Sequence, residues 1–349
     1  MARKRKITYK SSGVDIAAGD RLVRRIQGVA QKTARPGFVA GIGGFGGLFD
    51  LKKLKYRRPI LVSSTDGVGT KLKIAFMTGI HDSVGIDLVA MSVNDILTQA
   101  AEPLFFLDYF VCGKLDVNVA AATIRGIAEG CRQAGCVLIG GETAEHPGDF
   151  APGEYDLAGF AVGVAEKKQI PDPKSIVPGD ALIGLLSTGL HSNGYSLARK
   201  VLLELKGLRL GDRISELGRT LAEELLEPTR IYVKTVRALL RNHPGHRIKG
   251  IAHITGGGIP GNLPRVLPAG RRAWVRRRSW AVPPIFDLIQ RFGSISRAEM
   301  DRTFNNGIGM ILVVGKNDVR GVERTLTKLG ERYAVIGEIR KGERGVRFI

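Results

Sequence analysis

At 349 residues, with 44% apolar and 25% charged side chains, the chain has the composition of a folded globular protein, and at roughly 150 residues per domain it divides into two. Lys and Arg number 53 against 33 Asp and Glu, and the resulting charge of +20 draws phosphorylated metabolites, nucleic acid or anionic membranes. Basic runs at 3–6 and 271–278 carry few interleaved aromatics, so solvated surface is favoured and nucleic acid is not expected as a partner. Cys112, Cys131 and Cys136 are too few and wrongly spaced for a disulfide framework or a zinc site. No apolar run approaches the roughly 18–20 residues of a membrane span, so a soluble cytoplasmic protein is expected, with no membrane partner.

Apolar residues at helical spacing predict a helix over 15–32, ahead of the glycine cluster Gly41-Ile42-Gly43-Gly44-Phe45-Gly46-Gly47. A short strand over 59–64 runs directly into Thr65-Asp66-Gly67-Val68-Gly69-Thr70-Lys71, and a helix follows over 82–100. Next come an aromatic-rich strand over 104–112, a helix over 117–134, and a strand over 136–139 that meets Gly140-Gly141-Glu142-Thr143. A strand over 156–165 ends at a Lys- and Pro-rich linker over 167–178, which sets the domains at 1–168 and 169–349. In the second half, strands over 181–186 and 248–254 each run into a glycine turn and then a helix, and strands over 307–314 and 333–339 flank a helix at about 317–330.

The loop around Asp66 offers a carboxylate for Mg²⁺, backbone N–H groups freed by Gly67 and Gly69, the Thr70 hydroxyl and the Lys71 cation, which are the parts of a triphosphate site. It lacks Walker A spacing, and a tight turn with a capping Asp is the competing reading. On the helix at 82–100, Asp87, Met91, Asn94, Asp95 and Thr98 share one face short of Lys and Arg. That face reads either as solvated surface or as carboxylates awaiting a metal. Glu142, at a strand end after two glycines, reads as a surface turn or as the third carboxylate of a cluster with Asp66 and Asp95, for which oxygen-ligated Mg²⁺ is the fitting ion. The turns Ser187 to Gly194 and His253 to Gly258 precede helices whose N–H groups could hold a phosphate, helped by Ser192, Asn193, Thr255 and Gly256. His191 and His253 are candidates for proton transfer or substrate contacts, although lone histidines are more often structural.

These motifs, in this order, resemble the phosphoribosylformylglycinamidine cyclo-ligase family: Tyr9-Lys10 with Gly13-Val14-Asp15, Gly43 to Gly47, Ser64 to Lys73, Asp87 to Asp95, Glu102 to Tyr109, Gly140 to Glu145, Pro152 to Gly163, Ser187 to Ser196, Glu227 to Tyr232, His253 to Gly258 and Arg302 to Gly309. The resemblance implies a two-domain α+β and α/β protein whose N-terminal sheets pair into a barrel across a homodimer, with a C-terminal α/β domain. It implies ATP and Mg²⁺ held by residues matching Gly43, Gly44, Gly46, Gly47, Asp66, Asp95 and Glu142, and a small ribonucleotide substrate whose ring is closed at the expense of ATP; Asn94 is a further candidate for binding ATP or phosphate. Among relatives of this architecture, selenophosphate synthetase normally needs a reactive Cys or selenocysteine near the glycine-rich segment, and no Cys precedes Cys112. Two positions depart from the family pattern: Gln27 stands where Lys is expected, with Lys32 a possible substitute, and His146 where Met is usual.

Overall fold

The computed structural model describes residues 7–349. Helix α1 (Ile16–Gln31) starts where the Asp15 side chain accepts the Ala18 N–H at 3.3 Å, and it buries Ala18, Leu22, Ile26 and Ala30 at every fourth position. A small hairpin, β1 (Phe38–Ala40) and β2 (Leu48–Phe49), brackets the glycine cluster. Strand β3 (Pro59–Gly67) is longer than its apolar core and takes Thr65 and Asp66 into the sheet. It leads through a 3₁₀ turn (Gly69–Lys71) into α2 (Leu72–Thr78) and then α3 (Asp82–Leu97). The last helix stops at Leu97, short of the expected residue 100, and Ala100 turns the chain at φ 58.

Strand β4 (Glu102–Cys112), α4 (Val117–Ala134), β5 (Val137–Glu145) and β6 (Tyr155–Glu166) complete the first domain. Gly141 and Glu142, expected in a turn after the strand, are strand residues that pair with Asp108 and Tyr109. The four-stranded sheet runs β3-β6-β4-β5, and α1, α3 and α4 cover one face of it. Helices α3 and α4 cross closely because Gly85 and Gly126 face each other's backbone, and a Cβ at Gly126 would overlap the Asp82 carbonyl oxygen.

After two short 3₁₀ turns the chain enters the second domain at β7 (Ala181–Leu186), followed by α5 (Tyr195–Arg199), which continues as a π-helical stretch, Lys200–Leu205. Strands β8 (Arg213–Ile214) and β9 (Arg219–Thr220), helices α6 (Leu221–Leu225) and α7 (Val233–Asn242), β10 (Ile248–His253), α8 (Gly258–Asn262) and β11 (Arg271–Val275) come next. Helices α9 (Pro284–Gly293) and α10 (Arg297–Thr303), β12 (Ile308–Val314), α11 (Val319–Lys328), β13 (Tyr333–Lys341) and β14 (Gly345–Phe348) close the chain. The six-stranded sheet runs β10-β12-β7-β13-β11-β14, and every residue of β12 is buried because both faces are covered. None of the described helices is long and apolar enough to cross a membrane.

Candidate active site

The polar face of α3 meets the second domain. Asp87 is fully buried; its Oδ2 lies 2.7 Å from the Lys71 Nζ, and its Oδ1 accepts the Thr229 N–H at 2.7 Å and the Thr229 hydroxyl at 2.6 Å. The Lys71 amine also donates to the Glu227 carbonyl at 2.7 Å and to the His191 carbonyl at 3.3 Å. Asn94 donates to the Arg230 carbonyl and accepts the Tyr232 N–H. These bonds correct two expectations. Lys71 and Asn94 are spent on holding segment 227–232 of the second domain against α3, so neither is free for a phosphate. Asp87 is neutralised by Lys71 rather than left for a metal.

The residue after Asn94, Asp95, faces a cleft of about 330 Å³ between the domains, with Ser63, Ser64, Thr98, His253, Asn262 and Arg265 in its walls. The Asp95 Oδ1 lies 2.8 Å from the His253 Nδ1, while its Oδ2 has only a long contact of 3.4 Å with the Ser64 hydroxyl. A carboxylate accepts, so the Nδ1 of His253 carries a proton. Its Nε2 is buried without a partner, and His253 is 5% exposed. Asp66, at the end of β3, is close enough to feel both groups. Burial pushes its carboxyl above the usual range and the Asp95 charge adds to this, while the Gly67 N–H, donated at 2.8 Å, pulls it back.

His191 differs from His253. It sits at φ 62, is 1% exposed, and its Nε2 accepts from the Thr188 N–H at 3.3 Å. Burial, then the neighbouring His253, Lys71 and Arg230, hold its pKa well below the ordinary value, so it stays neutral and serves the turn. His191 is not among the residues that line the cleft, so His253 is the histidine carried forward for proton transfer.

Glu142 is also displaced from the expected cluster. Register aligns Asp66 with Gly159, Gly159 with Asp108, and Asp108 with Gly141, so Glu142 lies three strands, about 14 Å, from Asp66 and on the alternate face. Among the described residues no three His, Cys, Asp or Glu side chains converge as a metal site.

The glycine turns interlock. The Asn193 Oδ1 accepts the Gly256 N–H at 2.9 Å, the Ser192 and Thr229 hydroxyls lie 3.1 Å apart, and the Thr70 hydroxyl is 3.1 Å from that of Ser196. Thr255 contacts Asn262 at 3.4 Å, and only glycine fits at 258, where φ is +57 and a Cβ would overlap the Asp301 carbonyl. Asn262 and Arg265 were not singled out from sequence. Their spacing of four and seven residues from Gly258 was the signal that could have found them.

Two family models match the chain: AIR synthase related protein, N-terminal domain, over residues 55–165, and its C-terminal domain over 177–349. The phosphoribosylformylglycinamidine cyclo-ligase of Myxococcus xanthus (strain DK1622) is 60% identical over 336 residues, 96% of each chain. The chain belongs to this cyclo-ligase family. Another relative of the same name, from Citrifermentans bemidjiense, is 57% identical over 98% of each chain. Among solved structures, thiamine-monophosphate kinase from Stenotrophomonas maltophilia K279a superposes with TM-score 0.67 at 19% identity, covering 94% of each chain. Hydrogenase maturation protein HypE in complex with ATP superposes with TM-score 0.65 at 17% identity, covering 93% of this chain and 90% of that one. Both are similar in fold. Of the two departures from the family pattern, Gln27 is exposed, with its amide nitrogen 3.8 Å from where a Cβ on Gly43 would stand, and His146 lies 3.5 Å from Asp149.

Proposed function

We propose that this chain is a cytoplasmic ligase of purine biosynthesis that converts formylglycinamidine ribonucleotide and ATP to 5-aminoimidazole ribonucleotide, ADP and phosphate, with its domains dividing at 168/169. Full-length identity of 60% to a cyclo-ligase supports the reaction, and the Asp95–His253 pair on the interdomain cleft is the observation that carries the site. A formamide oxygen is a poor leaving group, and transfer of the γ-phosphoryl group turns it into phosphate, a good one. The amidine nitrogen then attacks the formyl carbon, a C–N bond forms, and phosphate departs with the C–O electron pair. The attacking nitrogen must lose a proton, and His253, held by Asp95 in the wall of the cleft, is the base assigned to take it. Arg265 and Asn262 in the same wall suit the ribonucleotide phosphate.

Asp66 and Asp95 fit Mg²⁺, which commonly takes one or two carboxylates and fills its shell with phosphate oxygens and water. When bound, the ion neutralises charge on the transferred phosphoryl group. ATP is assigned to Gly43, Gly44, Gly46 and Gly47, with Gly67, Gly69 and Thr70 at the end of β3, and Ser192, Asn193, Thr255 and Gly256 border the cleft from the second domain.

The chain is also proposed to act as a homodimer in which two N-terminal sheets close a barrel. Support comes from the sheet face opposite the helices, where Leu61 is 57% and Phe160 42% exposed. The β3 edge carries Asp66 and the β5 edge carries Glu142 one residue from the same row. Joining these edges between copies would bring Glu142 of one to the Asp66 level of the other. The direct test is formation of 5-aminoimidazole ribonucleotide from ATP and the formylglycinamidine ribonucleotide. Asp66→Asn and Asp95→Asn should each lower turnover by about 10³-fold with unchanged melting temperature. Near-native rates in both would overturn the metal assignment.

A further inference from the structure

The edge of the six-stranded sheet, β13-β11-β14, concentrates positive charge that ring closure does not use. Spacing along the chain reads the basic run at 271–278 as solvated surface, but the fold lays it beside a second run at 338–349. Together the two hold nine Lys and Arg against two Glu. Alternation along β11 buries Ala273 and Val275 and turns Arg272, Trp274 and Arg276 to the other face. Register adds Arg340, opposite Arg272 on β13, and Arg347, opposite Trp274 on β14. Four arginines therefore surround one tryptophan, on a patch about 13 Å along β11 and about 10 Å across.

Two of these guanidiniums are fixed in place. The Arg340 and Arg347 Cζ atoms stand 4.1 and 4.5 Å from the Trp274 ring centroid, one from each neighbouring strand. Stacking on the ring leaves the N–H edges of the forks free, and that fork geometry matches phosphate oxygens. Only Arg340 has a close acid, Glu338 at 2.6 Å; Glu343 lies 3.7 Å from Arg272, and among the described residues Arg347 has no ion pair. Within these described segments Ile349 alone exposes a large apolar side chain. A docked protein would need an apolar centre and a membrane surface an apolar wedge, so the face suits a polyphosphate chain instead. A patch this flat and short fits a flexible strand, whose phosphates can fold onto it, better than a rigid duplex.

We propose that this face binds single-stranded RNA through its phosphates, without reading the bases, because guanidiniums already occupy the Trp274 ring. It shares no residue with the interdomain cleft and stands independently of the ring-closure reading.

Fluorescence anisotropy of a labelled, mixed-sequence RNA with the full-length protein, between about 50 and about 200 mM salt, tests this. Affinity should fall with a log–log salt slope of about −3, as four arginines displace counterions from a single strand. In Arg340→Gln/Arg347→Gln the slope should halve and affinity drop by about 10-fold or more, with ring closure unchanged. Trp274→Leu keeps every charge, so it should weaken binding by about 3-fold at an unaltered slope, because the forks lose their support. Arg320→Gln/Arg324→Gln removes the same charge from exposed positions on α11 and should change affinity by less than about 2-fold. Equal losses in the two double variants overturn the proposal, leaving only the general field of the +20 chain. Duplex DNA or polyglutamate binding as tightly as RNA at the same salt overturns it as well. So does a preference of more than about 10-fold among RNA sequences, which would require base contacts.

Discussion

Lys71 shows how far a side chain's role depends on what the fold brings beside it. In the sequence it ends a Thr-Asp-Gly-Val-Gly-Thr-Lys run that looks made for phosphate, yet its amine is sealed against Asp87 and two carbonyls of the other domain. Removing one member of such a buried pair strands the other charge, at about 3–5 kcal/mol. Lys71→Met should lower stability by that amount in urea unfolding, and adding Asp87→Leu should recover part of it. A large change in ATP affinity with unchanged stability would contradict the bracing role. The two histidines separate in the same way. His253→Gln should cost about 10²–10⁴-fold in kcat with the melting temperature unmoved, because the ring is held by Asp95 in the wall of the cleft. His191→Ala should act mainly on stability, since that ring is buried under Tyr232 and packs against Gly309. Equal losses of kcat at matched stability would reverse this assignment.

Among the elements, α3 carries most of the consequence. One side of it packs on the sheet and on α4, and its polar side faces segment 227–232 of the second domain, so it is buried nearly all round. Its polar face was legible from spacing alone, but a stripe with few cations fits a metal site and an interdomain seam equally well, and only the opposing segment decides. The close crossing with α4 depends on Gly85 and Gly126, which reveal nothing in the sequence because helices tolerate occasional glycines. Gly126→Ala should destabilise by about 1–3 kcal/mol, despite alanine's better helix propensity, because the methyl group meets the Asp82 carbonyl. Calorimetry showing a stabilised variant would mean the helices can move apart freely. Strand ends follow the same logic. The apolar runs predict loops at Asp66 and Glu142, whereas ladder pairing continues through Thr65-Asp66-Gly67 and Gly141-Glu142-Thr143 regardless of side-chain polarity.

For the molecule as a whole, the separation of Asp66 from Glu142 makes a prediction about assembly. If each site takes Asp66 from one copy and Glu142 from the other, Asp66→Asn and Glu142→Gln are each inactive alone, but their mixed dimer holds one intact site. Refolding the two variants together should therefore restore about a quarter of wild-type activity, since half the dimers are mixed and each has one of two sites working. No restoration, with mixed dimers demonstrated by mass spectrometry, would confine each site to a single chain.

The order of motifs along 349 residues by itself determined the family and its two-domain organisation, and it singled out Asp66, Asp95 and His253 as the residues proposed to carry the chemistry, because glycine turns and hydroxyl or acid clusters at strand ends leave a local signature. Tertiary structure alone decided that Lys71 and Asn94 brace the domains, and that His191 is structural while His253 is held by Asp95. Each of those outcomes turns on burial and on a partner tens of residues or more away in sequence, and side-chain spacing carries no record of either.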